Sequence, residues 1–174
     1  MILTGPQIAE EHAAGRIKLE PFIPAQVSQT SYDLTLGADV IRYTDPVLDP
    51  KKPPQYEKIT MTADGLAMKA GDFLLGHSAE TVGSDHFAAI VHGRSRVARM
   101  GLFVHVTSDL IHTGSHGHIT FQLFATLPVT IYPGMQIGQV TFWVPKGEIS
   151  LYRGKYHGAQ GPKVSEIYKD FSDN

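Results

Sequence analysis

The sequence contains no cysteine among its 174 residues. That excludes disulfides, thiolate nucleophiles, cysteine-ligated zinc and the cysteine motif of zinc-dependent base deaminases. Strong charge of either sign is also missing: 15 Lys and Arg against 17 Asp and Glu leave a net charge of −2. No global basic field exists to attract nucleic acid or an anionic membrane, so recognition of phosphate must be local. No apolar run approaches the 18 or so residues of a membrane span, and no basic-led apolar leader opens the chain. The expectation is a cytoplasmic protein that binds neither nucleic acid nor membrane. A Ser–His–Asp elbow, a Walker loop and a dinucleotide fingerprint are absent as well.

What is present is an ordinary globular composition, 42% hydrophobic. The length predicts one domain over 1–174, able to bury roughly 70% of its unfolded surface. One helix signal stands near the start, where Thr4, Pro6 and Gln7 give a T-x-x-Q capping-box spacing and Gly15 supplies a stop. Beyond it, Pro21, Pro24, Gly37, Pro46, Pro50, Pro53 and Pro54 interrupt helix. Residues 31–37 alternate Tyr32, Leu34 and Leu36 against Asp33 and Thr35, the pattern of a half-buried strand. Further strands are predicted at 57–62, 66–70, 73–78, 86–92, 102–107, 118–125, 129–131 and 138–144, with a proline- and charge-rich loop over 44–56. Turns recur about every 8–12 residues, which points to an all-β barrel or sandwich. The tail, 150–174, is rich in glycine and polar groups but carries Tyr152, Lys155, Tyr156 and Tyr168. It reads as either a frayed end or a lid.

The stretch from Gly93 to Gln122 holds most of the candidate chemistry. Gly93-Arg94-Ser95 follows a strand-like run and opens a short helical piece closed by Gly101. Such a start presents free N–H groups to an anion, with guanidiniums from Arg94 and Arg99 available for bidentate contacts. A capped surface helix with solvated arginines has the same signature. In the strand HITFQLFAT, Ile119, Phe121, Leu123 and Ala125 share one face, and Thr120, Gln122, Phe124 and Thr126 the other. Gln122 between two phenylalanines needs partners, which a ligand or a neighbouring backbone could supply. His112, His116 and His118 lack a carboxylate at fixed spacing, and Gly114 and Gly117 leave their geometry open, so neither zinc nor another protein-held metal is expected. His105, inside LFVHVT, reads as a hydrogen-bonded core histidine, and Asp109 as a turn residue.

Together, MILTGPQIAEEHAAGRIKLEPF, SYDLTLG, GRSRVARMGLFVHVT, GHIT, LPVTIYPGMQIGQVTF and KYHGAQGPKVS resemble the dCTP deaminase branch of the dUTPase-like superfamily, over nearly the whole chain. The resemblance implies a distorted, jelly-roll-like β-barrel with a short N-terminal helix and one short internal helix. It also implies a homotrimer with sites between subunits and a pyrimidine deoxynucleoside triphosphate carrying Mg2+ on its phosphates. By position it implies that Arg94, Ser95 and Arg99 meet the phosphates, with Ser95 and Arg99 also orienting the attacking water. Ser108 falls where a loop backbone faces the pyrimidine, and Tyr152 and Lys155 fall in a C-terminal lid. Departures are concentrated in the same regions. Gln122 stands where the family has a proton-shuttling glutamate, and His112 where dUTPases have an aspartate near the sugar. Ala159 replaces the lid's first glutamine, with Gln160 following. Arg96 and Ala125 replace a serine and an asparagine.

Three functions follow. The first is a deaminase of a cytosine nucleoside triphosphate that releases ammonia and supplies dUTP. Its activity would be reduced or altered because the amide of Gln122 cannot accept a proton, leaving Asp109 or His112 to move it. The second is a nucleotide-binding paralogue without chemistry. The third is a dUTPase-type pyrophosphatase using His112.

Overall fold

The computed structural model describes residues 1–105 and 107–171. Residue 106, within predicted strand 102–107, and residues 172–174 of the predicted tail lie outside them.

Helix α1 (Gly5–Ala13) is followed by strands β1 (Lys18–Glu20), β2 (Tyr32–Thr35), β3 (Asp39–Tyr43), β4 (Tyr56–Thr60), β5 (Leu66–Met68), β6 (Phe73–Gly83) and β7 (Ala88–Gly93). Helix α2 (Ser95–Ala98) precedes β8 (Leu102–Val104), β9 (Leu110–Ile111), β10 (His116–Ala125), β11 (Val129–Ile131) and β12 (Gln136–Trp143). The chain is all-β with one short helix at its start and one inside it, as expected. β4, β3, β6, β10 and β8 form one sheet in that order, with β1 also on β6; β2, β12, β7 and β9 form a second, and β11 pairs with β5. The sheets do not close on each other, so the barrel is open and distorted.

Thr4 is the N-cap of α1 and Pro6 lies in its first turn, but no side chain caps the helix. Gln7 instead donates to Glu11 at 3.0 Å, and Glu11 holds Arg16 beyond the helix end. Strands β1, β3 and β9 went unpredicted. β1 and β9 have only three and two residues, too few to show an alternation. β2 is buried on both faces rather than one, and Asp33, expected outward, is buried.

The core forms where inward side chains of both sheets meet. Phe121, Leu123 and Ala125 of β10 are fully buried with Tyr32, Leu34, Leu74 and Phe142. Each large apolar side chain so buried contributes about 1.5–3 kcal/mol. A buried carboxyl group, Glu80 on β6, lies against this core, with no cation paired to it among the described residues. It accepts from the Gln26 amide at 2.8 Å and from the Thr35 N–H at 2.9 Å, while Gln26 also donates to the Asp33 carbonyl at 2.7 Å. These bonds satisfy an otherwise costly charge and tie β2 to β6.

The two faces of β10 predict opposite responses to truncation. Phe121→Ala should lower the unfolding free energy by about 3–5 kcal/mol, whereas Phe124→Ala, on the exposed face, should cost less than about 1 kcal/mol. Denaturant titration of both variants checks this.

Candidate functional site

The outward face of β10 forms the floor of a cleft of about 810 Å3. Thr120, Gln122 and Phe124 project into it, as period-two geometry requires of residues opposite the buried set. Phe73 and Leu75 of β6 and Tyr43 of β3 extend the apolar wall, and residues after β8 supply His105, Thr107, Ser108 and His112. The roof is the tail, from which Tyr152, Tyr156, Ala159, Lys163, Val164 and Ser165 line the space.

Gln122 is half-buried, and its side-chain oxygen accepts from the Thr107 hydroxyl at 3.0 Å. With that oxygen engaged, the two amide N–H groups remain to donate to a ligand. His105 is held beside it, because its backbone N–H donates to the Gln122 carbonyl at 3.3 Å. The His105 backbone has φ 60°, a strained conformation for a residue with a Cβ. Its Nε2 bonds the Ser108 carbonyl, and its Nδ1 is buried without a hydrogen-bond partner of ordinary geometry. Burial lowers the His105 pKa, although the Ser108 and Thr120 backbones pull the other way. Thus His105 is indeed hydrogen-bonded and largely enclosed, but on the cleft wall rather than in the core.

The other histidines have separate partners. His112 stacks on Tyr152 with ring centroids 5.9 Å apart. His116 pairs through Nε2 with Asp85 at 2.8 Å. His118 stacks on His77 at 5.2 Å and accepts the Gly161 N–H on Nδ1 at 2.9 Å, so it is neutral in this arrangement. Burial lowers the pKa of both His77 and His118. Among the described residues that line the cleft there is no aspartate or glutamate, and Lys163 alone carries a fixed charge. Asp109, a candidate for moving protons, does not line it.

The tail is stitched to β10 as a strap. Gly158 N–H donates to the His116 carbonyl at 2.6 Å, and His118 N–H donates to the Ala159 carbonyl at 2.8 Å, which makes a parallel bridge between Gly117 and Ala159. Gly117 is required there: a Cβ would lie 2.7 Å from the Ala159 nitrogen, and the backbone has φ +146°. Within the strap, Tyr152 faces the cleft, while Lys155 is tied to Asp170 and Gln160 is exposed outside the lining.

Arg94, Ser95 and Arg99 do not line this cleft. Arg94 donates to Asp33 at 2.8 Å and to Gln136, pinning the start of α2 to β2 and β12. Burial raises the Asp33 carboxyl above its usual range against the pull of Arg94 and Arg96. Ser95 and Arg99, at the two ends of the four-residue α2, are exposed. Sequence reasoning missed Tyr43, Thr107 and Lys163 as lining residues. Thr107 and Lys163 lie inside segments that carry the family resemblance, but only strand pairing and the strap bring the three together.

A family model described as dCTP deaminase-like matches residues 2–144. The chain belongs to the dCTP deaminase-like family. Curated relatives named "dCTP deaminase, dUMP-forming" include one from Clostridium botulinum, 36% identical over 172 residues, covering 98% of this chain and 99% of that protein. One from Leptospira biflexa is also 36% identical over 172 residues, at 98% of each chain. The fold matches a crystal structure of 2'-deoxycytidine 5'-triphosphate deaminase from Agrobacterium tumefaciens with a TM-score of 0.67 and 20% identity. That match covers 83% of this chain but 48% of the other, so this chain spans about half its length. Among the described residues no helix is long and apolar enough to cross a membrane.

A pH dependence follows from the buried imidazoles. Between their lowered pKa and the ordinary value of 6.5, His77, His105 and His118 bind fewer protons folded than unfolded. Stability is therefore full above about pH 6.5 and is lost as pH falls through that window. Melting temperature should drop on acidification, and His118→Gln should flatten the drop; an unchanged slope in that variant contradicts the assignment.

Proposed function

We propose that the protein deaminates a cytosine deoxynucleoside triphosphate, dCTP being the first candidate, and then hydrolyses the α–β phosphoanhydride bond with a second water, releasing pyrophosphate and leaving dUMP. The observation that carries this reading is the near full-length likeness to proteins named as dUMP-forming dCTP deaminases. In this reading, pyrophosphatase chemistry is a second step at the same site rather than an alternative to deamination.

The residues suit the parts of such a ligand. Aromatic and aliphatic walls from Tyr43, Phe73 and Phe124 can enclose a pyrimidine. The Gln122 amide N–H groups can donate to lone pairs of the base or of a water. In deamination, water adds to C4 while one of its protons passes to N3. The second proton passes from the new C4 hydroxyl to the departing amine, which leaves as ammonia. Gln122 can orient the water but cannot carry either proton, and the cleft residues able to do so near neutrality are imidazoles. His112 lines the cleft, and its imidazole, stacked on Tyr152, makes no side-chain hydrogen bond among the described residues. We assign the proton transfer to it and expect the missing carboxylate to reduce or alter turnover.

Magnesium belongs to the proposal as a passenger on the phosphates, whose charge it would partly neutralise. Among the described residues no group of three or more His, Asp or Glu side chains is placed to hold a metal. In the proposal the ion is bound mainly through phosphate oxygens. The assembly proposed is a homotrimer in which a neighbouring copy brings Arg94, Ser95 and Arg99 to the cleft. Phe73, Phe124 and Phe103 lie directly opposite one another across β6, β10 and β8, each 38–49% exposed. Such an aromatic row, continuous with the cleft, suits an interface between copies.

A second reading, nucleotide binding without chemistry, is favoured by the absence of a carboxylate from the described cleft lining. Product analysis after incubation with dCTP and magnesium separates the two. Ammonia, dUMP and pyrophosphate are expected; intact dCTP with tight binding supports the second reading. Gln122→Glu should raise the deamination rate by about 10²–10⁴-fold if the missing base limits it.

A further inference from the structure

We infer that Lys163, carried by the C-terminal strap, is a binding residue for the phosphate group of the ligand, so that strap docking and anion binding are coupled. The inference rests on the nucleotide reading above and adds to it a residue, Lys163, on the strap.

Lys163 is the one fixed charge among the described residues lining a cleft that has no carboxylate in that lining. Its ammonium has no ion-pair or hydrogen-bond partner among the described residues, whereas Lys18, Lys52, Lys58, Lys155 and Lys169 each close on a carboxylate. Lys163 is exposed, but its backbone has a defined position at the cleft. Its backbone N–H donates to the Thr120 hydroxyl at 3.1 Å, two residues after Gly161 binds His118 and two before Ser165 binds the Tyr43 hydroxyl at 3.1 Å. The strap is thus fixed on both sides of Lys163. Thr120 and Gln122 share one face of β10, so the same register sets Lys163 over the face that presents the Gln122 amide.

A cleft lining with one lysine and no carboxylate favours an anionic group, and phosphate is the anion that accompanies a pyrimidine in this reading. Lys155, which the family resemblance places in the lid, is engaged by Asp170 instead. Lys163 takes over that task. Because the backbone contacts of the strap and the Lys163 ammonium act on the same segment, an anion bound by Lys163 favours the docked strap, and a docked strap favours the anion.

The test compares dCTP with deoxycytidine, which has the same base and sugar but no phosphate. Calorimetric titration uses the full chain and the variants Lys163→Gln, Lys163→Glu and Lys163→Arg, with melting temperatures confirming that each folds. The Thr120 contact uses the backbone and survives in all three. Lys163→Gln should weaken dCTP binding by about tenfold, the scale of one charge-assisted contact, and Lys163→Glu by more, while Lys163→Arg binds nearly as the parent does. Deoxycytidine affinity should stay within about twofold throughout, because it lacks the group that Lys163 meets. If the parent binds dCTP and Lys163→Gln binds it equally well, the Lys163 assignment fails and the nucleotide reading stands. Equal weakening of dCTP and deoxycytidine also overturns it, since that marks a general effect on the cleft. If the parent binds no pyrimidine nucleoside triphosphate, the nucleotide reading fails and the assignment with it.

Discussion

The pairing of β10 with β6 is the constraint on which the rest of the structure depends. It fixes which side chains of β10 face inward, and a slip of one residue would exchange the two faces entirely. Phe121 and Leu123 hold the register by their burial, and Phe121 stands opposite Gly76 on β6. With that face committed to the core, Thr120, Gln122 and Phe124 have only the cleft to enter. β8 then covers the far end of β10, and the strap covers the near end where β8 does not reach. Core, cleft and roof are therefore consequences of one strand's alternation.

Electrostatics gives the cleft its character. Three carboxylates are engaged elsewhere: Glu80 by Gln26 and the Thr35 N–H, Asp85 by His116, and Asp170 by Lys155; Asp109 acts on His105 through its charge but does not line the cleft. Burial holds His105 and His118 toward the neutral form, and the His118 lone pair accepts a backbone N–H of the strap. What faces the ligand space is a set of donors, neutral rings and one ammonium. Such a surface suits binding of an anionic nucleotide better than it suits carboxylate-driven proton transfer. The chain belongs to the dCTP deaminase-like family, and its described cleft lining presents the Gln122 amide and no carboxylate.

Much of this was legible in the sequence. The alternation of HITFQLFAT separates the buried Phe121 and Leu123 from the cleft-facing Gln122 without any structure. The all-β architecture with two short helices and the family resemblance were equally readable. What could not be read depends on contacts between distant segments. Asp33 looks like a solvent-facing strand residue until Arg94, 61 positions later, is seen against it. His105 reads as core because its neighbours are apolar, although the β8–β10 junction sets it on the cleft wall. Lys163 sits inside the resemblance-bearing KYHGAQGPKVS, but only the strap's hydrogen bonds to His118 and Thr120 bring it to the cleft. The T-x-x-Q capping box is the converse case: the spacing is right, but Gln7 finds Glu11 a better partner.

The central claim is that the space between β10 and the strap is the nucleotide site. Hydrogen exchange measured residue by residue, with and without dCTP and magnesium, tests it most directly. The account predicts slower exchange on binding in the strap at 158–165 and in the loop at 107–112, with the core strands already protected in both states. If dCTP binds and protects neither segment, the nucleotide lies elsewhere and the account is contradicted.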